Sequence, residues 1–305
     1  MVPPERCRNM LKEGKWETNE YNQWRSLCET KRYKGKDLHE CLRNKSIIYV
    51  GDSIMREQYY AMIQLFRPGR PSQEAIHQDQ KVFIKKHNVT IEMWWDPFLN
   101  SNRTLQMLQG NAQERPALLI LDTGIWYMKD FGNRYLQEWK VTADRVFDGV
   151  KKHTIADKVL LSPVEAVEYD LLSPSRKKTM TYDKITLMNN YLRERESTLE
   201  DSATPLAVPF VWNQMAASTQ NQTLDGLHFK PPVTNAQAQI ALNYLCNDSK
   251  IPSGIDRTYD YYLSGYPVAI LASSLCLIGL VIITLLTYRI RLLDTLYAIK
   301  PQLIL

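Results

Sequence analysis

The chain has 305 residues, with 38 Lys+Arg against 33 Asp+Glu; the net charge of +5 gathers into no dense basic stripe, which excludes a nucleic-acid footprint. Its 44% hydrophobic and 23% charged residues exclude disorder for most of the chain, and 12 Gly with 15 Pro exclude collagen-like and low-complexity classes. The length fits one large domain or two small ones, because a single core stops growing near ~250–300 residues.

Residues 1–45 form a lead-in bearing Trp and Cys. The β-branched run Ser46-Ile47-Ile48-Tyr49-Val50 reads as a buried strand, and Ser53–Leu65 as a helix stopped near Arg67-Pro68-Gly69. Thr90–Trp95 is a second strand, ended by Asp96-Pro97, and Ala117–Leu121 a third. A helix over Tyr135–Lys152 leads to a strand at Lys158–Leu161, closed by Pro163. Next come a helix at Asp183–Thr198, a strand at Leu206–Val211 and a last helix at Asn235–Leu245. Strands alternating with helices predict an α/β domain over 46–247, with a mostly parallel sheet covered on both faces. A juxtamembrane linker spans 248–266. From Pro267 to Thr287 there are 21 residues without a charge. As a helix they reach about 32 Å, against roughly 30 Å for a hydrocarbon core. Tyr261, Tyr262 and Tyr266 precede this run and Tyr288 follows it, at headgroup level. One transmembrane helix over 267–288 is therefore expected, with a short tail at 289–305.

Ligands of parallel α/β sheets bind at the carboxyl ends of the strands, and Gly51-Asp52-Ser53 follows the first strand directly. Gly51 permits a sharp turn, and Ser53 lands at a helix N-terminus, where free N–H groups and the dipole stabilise an oxyanion. The plainer role for Ser53 is an N-cap, common for serine. Of the 5 His, only His228 has an aspartate three residues earlier, a pairing that chance supplies in about one sequence in four. Its position between the last strand and the last helix puts it at the same sheet edge. Ser53, Asp225 and His228 then supply a nucleophile, an orienting carboxylate and a general base.

Gly51-Asp52-Ser53 with Asp225-Gly226-Leu227-His228 resembles the SGNH/GDSL-type esterases. More closely, the chain is similar to the lumenal catalytic domain of the capsule-synthesis and sialic-acid O-acetyltransferase family. Plant trichome-birefringence-like polysaccharide O-acetyltransferases are more distant relatives. The resemblance runs from Cys7 to Cys246 and includes the spacing of Cys7, Cys28 and Cys41 ahead of Gly51. It also includes Arg56, Trp95-x-Pro97, Asp170-Leu171-Leu172-Ser173 and Tyr244-Leu245-Cys246-Asn247.

The resemblance implies a three-layer SGNH-hydrolase-like fold and an acetyl group carried on Ser53, with His228 as base and Asp225 as its partner. It implies an oxyanion hole that begins with the Ser53 N–H. The side-chain Asn donor of the wider superfamily is not evident in Leu121-Asp122-Thr123-Gly124-Ile125-Trp126, so the Gly124 N–H is the candidate second donor. Arg56 is a candidate for an anionic substrate group or a pair on the helix surface, and Trp126 for a sugar-stacking platform or a half-buried core residue. Members of the family continue into a multi-helix membrane region that handles the acyl donor. No bound cofactor is implied; acetyl-CoA is the ultimate donor, delivered by a membrane region or partner outside this chain.

Cys7, Cys28, Cys41 and Cys246 form an even set outside the expected membrane helix, which holds Cys276. No CxxC or Cys/His spacing suits zinc, so no metal is expected. Four cysteines allow three pairings; nearness in the lead-in makes Cys7 with Cys28, leaving Cys41 with Cys246, the first choice. Sequons begin at Asn44, Asn88, Asn102, Asn221 and Asn247, against about two by chance. Asn44 borders a buried strand and is expected to stay bare, while the other four fall in or beside loops. Arg289, Arg291 and Lys300 nearly balance Lys250 and Arg257, so loop cations do not set the orientation. Cysteines and sequons favour a domain in the secretory lumen, with the Golgi implied and the tail in the cytosol. Against this, Met1-Val2-Pro3-Pro4-Glu5 opens no signal peptide, and a tail-anchored chain would leave the domain cytosolic. The apolar end Lys300-Pro301-Gln302-Leu303-Ile304-Leu305 reads as that of a fragment or truncated product of a longer membrane protein.

The sequence thus reads as an O-acetyltransferase that passes acetyl through Ser53 to a carbohydrate hydroxyl. Its rivals are a carbohydrate acetyl esterase with the same triad, in which water is the acceptor, and a non-catalytic glycan-binding or assembly protein.

Overall fold

The computed structural model describes residues 8–17, 23–26, 28, 30–67, 76–112, 114–199, 204–219 and 221–246. The chain divides into two compact units, Met1–Ile251 and Pro252–Leu305. The linker, the apolar run at 267–288, the tail, Cys7, Cys276 and Asn247 lie outside the described residues. Among the described residues no helix is long and apolar enough to cross a membrane.

A short antiparallel pair, β1 (Gly14–Trp16) and β2 (Trp24–Ser26), and helix α1 (Lys36–Leu42) make up the lead-in. The central sheet contains β3 (Ser46–Gly51), β4 (Gln80–Ile84), β5 (Val89–Trp95), β6 (Leu118–Leu121), β7 (Lys158–Leu161) and β8 (Leu206–Ala207). Among the described residues its order is β4-β5-β3-β6-β7-β8. Neighbours run parallel except β4, which pairs antiparallel with β5 at the edge. The sheet is therefore mixed and mostly parallel.

The apolar runs are continuous because both faces are covered. Ile47 and Tyr49 of β3 enter one buried cluster, and Ile48 and Val50 enter the other. Leu118 and Ile120 of β6 divide from Leu119 and Leu121 in the same way. Each such burial contributes ~1.5–3 kcal/mol, so a one-residue register slip would exchange both faces at once. On the first face α2 (Ser53–Gln64) packs against α9 (Pro231–Cys246), beside α8 (Phe210–Ala217). The second face holds α3 (Asn102–Leu108), α4 (Ile125–Asp130), α5 (Tyr135–Lys152) and α7 (Tyr182–Ser197).

Two boundaries differ from the sequence reading by more than a residue. The strand expected at Leu206–Val211 stops at Ala207, and Phe210–Ala217 is helical. Pro209 has no N–H for a ladder and stands at the start of α8 instead, where none is needed. The last helix begins at Pro231 rather than Asn235, because prolines fit the first turn. The lead-in is stitched to α9 by two amides. Gln239 accepts from Tyr33 N–H at 2.8 Å and donates to its carbonyl at 3.0 Å. Asn243 does the same to Lys31, at 2.8 Å each way.

Candidate active site

The chain crosses from β5 on one side of β3 to β6 on the other, so the carboxyl ends of β3 and β6 form a topological switch point. Gly51 ends β3 there. A Cβ on it would lie 2.9 Å from both the Cβ and the carbonyl oxygen of Asp122, a space only glycine fits. Asp52 then caps α2: its Oδ1 accepts the Ile54 N–H at 2.8 Å. The cap is therefore Asp52, and Ser53 is the first helical residue, which leaves its hydroxyl free. Ser53 Oγ meets His228 Nε2 at 2.8 Å.

The other half of the site is a loop between α8 and α9, in which Thr223 and Phe229 form an isolated bridge and Gly226 O accepts the Glu168 N–H at 2.9 Å. Asp225 Oδ1 accepts the backbone N–H groups of Leu227 at 3.1 Å and His228 at 2.9 Å. This is an Asx-type turn that aims the imidazole. Asp225 Oδ2 stands 2.8 Å from His228 Nδ1 and accepts from Arg176 at 2.7 Å. Burial pushes the Asp225 carboxyl up, but the His228 N–H, the Arg176 guanidinium and the imidazole outweigh it and hold the group well below the usual carboxylate range. An ionised Asp225 favours the tautomer with the proton on Nδ1, which leaves Nε2 an acceptor facing the Ser53 hydroxyl.

Arg176 escaped the sequence reading. It lies in the short helix α6 (Pro174–Thr179), 49 residues before Asp225, and no spacing links the two. The nearest signal is Ser173, whose hydroxyl caps α6 just after the Asp170-Leu171-Leu172-Ser173 block.

The remaining candidates fall as follows. Gly124 opens α4 at the end of β6 with φ 144°, and a Cβ there would meet Val164 Cγ2 at 2.5 Å. Trp126 is half-buried in an aromatic group, its ring edge-on to Trp95 at 5.9 Å and to Phe98 at 6.3 Å, with Lys129 Nζ 3.9 Å from its centre. His77 stacks on Trp95 at 4.3 Å. Because Trp95 pairs with Gly51 in register, this group stands at the same sheet edge as Ser53. Arg56 is not on the helix surface: its side chain is 11% exposed, it contacts Glu57 at 3.6 Å, and its Nε has no hydrogen-bond partner.

Cys41 and Cys246 are joined, tying α1 to the end of α9, and Cys28 is also disulfide-bonded. Asn88 and Asn221 are exposed at positive φ, and Asn102 is exposed in the first turn of α3. Asn44, expected to be shielded by its strand, is exposed in the turn before it and accepts from the Asn88 amide at 2.7 Å. Among the described residues no group of three or more His, Cys, Asp or Glu could hold a metal.

A serine on a strand-to-helix turn, met by a histidine from an Asp-x-x-His loop on a mostly parallel sheet, defines an SGNH-like serine acyl-transfer domain. Residues 31–182 match the PC-Esterase family, described as a GDSL/SGNH-like acyl-esterase family found in Pmr5 and Cas1p. The chain carries a PC-esterase domain of that family. The match includes Ser53 and stops before Asp225 and His228. The chain is 27% identical over 241 residues to N-acetylneuraminate (7)9-O-acetyltransferase of Danio rerio, covering 77% of this chain and 30% of that protein. It is 27% identical over 126 residues to probable xylan O-acetyltransferase 8 of Oryza sativa subsp. japonica, covering 34% and 28%. Protein trichome birefringence-like 31 of Arabidopsis thaliana is 30% identical over 131 residues, covering 35% and 32%. The chain thus spans about a third of the length of these relatives. Among solved structures, the acetylxylan esterase Axe2 from Geobacillus stearothermophilus aligns with a TM-score of 0.41 at 12% identity, over 70% of this chain and 99% of that one.

Proposed function

We propose that this domain is an O-acetyltransferase that carries acetyl on Ser53 and delivers it to a carbohydrate hydroxyl. The observation that carries the reading is the unbroken line Ser53 Oγ, His228 Nε2, His228 Nδ1, Asp225 Oδ2, with 2.8 Å at each hydrogen bond. His228 takes the Ser53 proton as Oγ attacks the acetyl carbonyl, then returns that proton to the leaving group. A sugar hydroxyl next attacks the acetyl-serine and gives its proton to Nε2, and collapse restores Ser53 with its proton. The Ser53 N–H, at the first turn of α2, and the Gly124 N–H are the proposed oxyanion donors. Trp126 and its neighbour Trp95 are the proposed stacking face for a sugar ring, whose apolar side suits an aromatic surface.

The names of the similar proteins, a sialic-acid and a xylan O-acetyltransferase, support a carbohydrate acceptor. The Cys41–Cys246 bond supports an oxidising compartment. A lumenal placement in the Golgi, anchoring by 267–288, glycans on Asn88, Asn102, Asn221 and Asn247, and acetyl-CoA as ultimate donor complete the proposal. Incubation with a labelled acetyl donor and an oligosaccharide acceptor tests it. Labelled oligosaccharide, absent with Ser53→Ala, is the expected product; free acetate as the sole product makes the domain an esterase.

A further inference from the structure

Beneath the nucleophile lies an acidic group that the acetyl-transfer steps leave unused. Asp52, Asp122 and Glu165 are 0%, 4% and 4% exposed. Asp122 follows β6 directly, its N–H bonds to Val50 O at 2.9 Å, and its carboxyl shares a side-chain hydrogen bond with that of Asp52. The close approach of Gly51 to Asp122 Cβ brings the two backbones together. Asp52 Oδ1 is occupied as the cap of α2. Asp52 Oδ2 and Asp122 Oδ2 are both buried with no donor on either. Two ionised carboxylates cannot satisfy each other, since each only accepts, and two like charges in contact away from water are strongly disfavoured. A single proton removes both problems: it neutralises one charge and makes one oxygen a donor to the other.

We infer that Asp52 and Asp122 hold one proton between them, and that this neutral bridge is a positioning device that fixes the cap of α2 and thereby Ser53. The groups facing the pair fit this arrangement. His228 and Arg56 face Asp52 from the catalytic loop and from α2, and Glu165 faces the pair from the segment after β7. Glu165 is itself pushed up to about 8 by burial, so it adds little charge at neutral pH; the Gln58 and Gln237 amides donate to its Oε1 at 3.0 and 2.8 Å. Burial, the Asp52 carboxylate and Glu165 all raise the proton affinity of Asp122. Loss of the shared proton as pH rises would place two charges in contact, open the cap and draw Ser53 Oγ away from His228.

The pairing stands without the acetyltransferase reading; only the turnover arm of its test rests on it. Asp122→Asn in the full chain keeps an N–H donor and a carbonyl acceptor but cannot titrate, whereas Asp122→Leu keeps neither. Infrared spectra of the wild type should show a carboxylic-acid C=O band that shifts in heavy water and is lost in Asp122→Asn. The melting temperature of the wild type should fall with rising pH, from the ordinary carboxylate range upward, more steeply than that of Asp122→Asn. Turnover of Asp122→Asn at neutral pH should stay within a few-fold of wild type and lose the alkaline decline, while Asp122→Leu should lose about 100-fold, the cost of a misplaced nucleophile. No acid band lost on Asp122→Asn, or parallel pH profiles of melting temperature, would overturn the shared proton. With the band and the profile present, equal turnover of Asp122→Leu and wild type would overturn the positioning role. Absence of acetyl turnover in the wild type would instead strike the acetyltransferase reading, and the spectroscopic and melting results would still decide the pairing.

Discussion

The turn that carries Ser53 and the loop that carries Asp225 and His228 converge on one hydrogen bond but are built by different means. On the serine side, Val50 and Met55 flank the turn with no exposure, and Gly51 is clamped against Asp122. Packing fixes Ser53. On the histidine side, the side chains of Asp225 and His228 are 39% and 27% exposed, and the loop is shaped by hydrogen bonds to one carboxylate. Polar contacts fix His228. A site divided in this way has a rigid half and an adjustable half, and the halves should respond differently to substitution.

The sharpest test removes the shared bond from either side. Ser53→Ala and His228→Ala should each cut acetyl turnover by on the order of 10⁴- to 10⁶-fold, and the double variant little further, because triad members act as a unit. Melting temperatures measured on the same proteins separate this from a capping role: Asp52, not Ser53, is the cap, so Ser53→Ala should melt near wild type. A low-melting, fully active Ser53→Ala protein would contradict the assignment. Asp225→Asn should follow, with a loss of about 10⁴-fold in kcat and an intact fold, since the amide favours the wrong imidazole tautomer.

The disulfide tests the packed side at a distance from chemistry. Cys41 and Cys246 are 205 residues apart, and replacing both with Ser should destabilise the domain by about 2–5 kcal/mol, read as a lower denaturation midpoint. Arg176→Met should touch only the polar side. Its ion pair with Asp225 is a third exposed, so the stability loss should be no more than about 1 kcal/mol, while kcat falls about tenfold as Asp225 loses one of its donors. Equal kcat for Arg176→Met and wild type would show that the backbone turn alone orients the carboxylate.

The smallest effect is a pH slope. Glu165 has a folded value of about 8 against an ordinary 4.5, so below 4.5 both the folded and unfolded chains carry its proton. Between 4.5 and about 8 the unfolded chain ionises while the folded one does not, so this group lowers stability as pH rises, and the loss stops growing above 8. Glu165→Gln should flatten the melting temperature across that window by a few degrees, and an unchanged slope would assign the pH dependence to the Asp pair alone.

Much of the packed half was legible in the sequence. Ser46-Ile47-Ile48-Tyr49-Val50 before Gly51-Asp52-Ser53 marked both the strand and the serine at its carboxyl end, because a doubly buried parallel strand must be continuously apolar and the turn after it is local. The helix at Tyr135–Lys152 was read with its observed boundaries, since its apolar face repeats over many turns. The exposed edge strand β4 was not read: Lys81 and Phe83 point to solvent, and half-buried alternation over five residues is a weak signal. Asp225 and His228 were read as a motif, but Arg176 was not, and neither were His77 and Phe98 around Trp126; Trp95 was read only as the end of its strand. The sequence by itself determined which segments are buried and which residue types sit at the strand ends, because periodicity and turn chemistry are local. Only the tertiary structure decided that Asp52 caps the helix in place of Ser53, that Arg176 reaches Asp225, and that Asp122 lies against Asp52. Those are contacts between chain segments tens of residues apart, set by strand order and register rather than by any local preference.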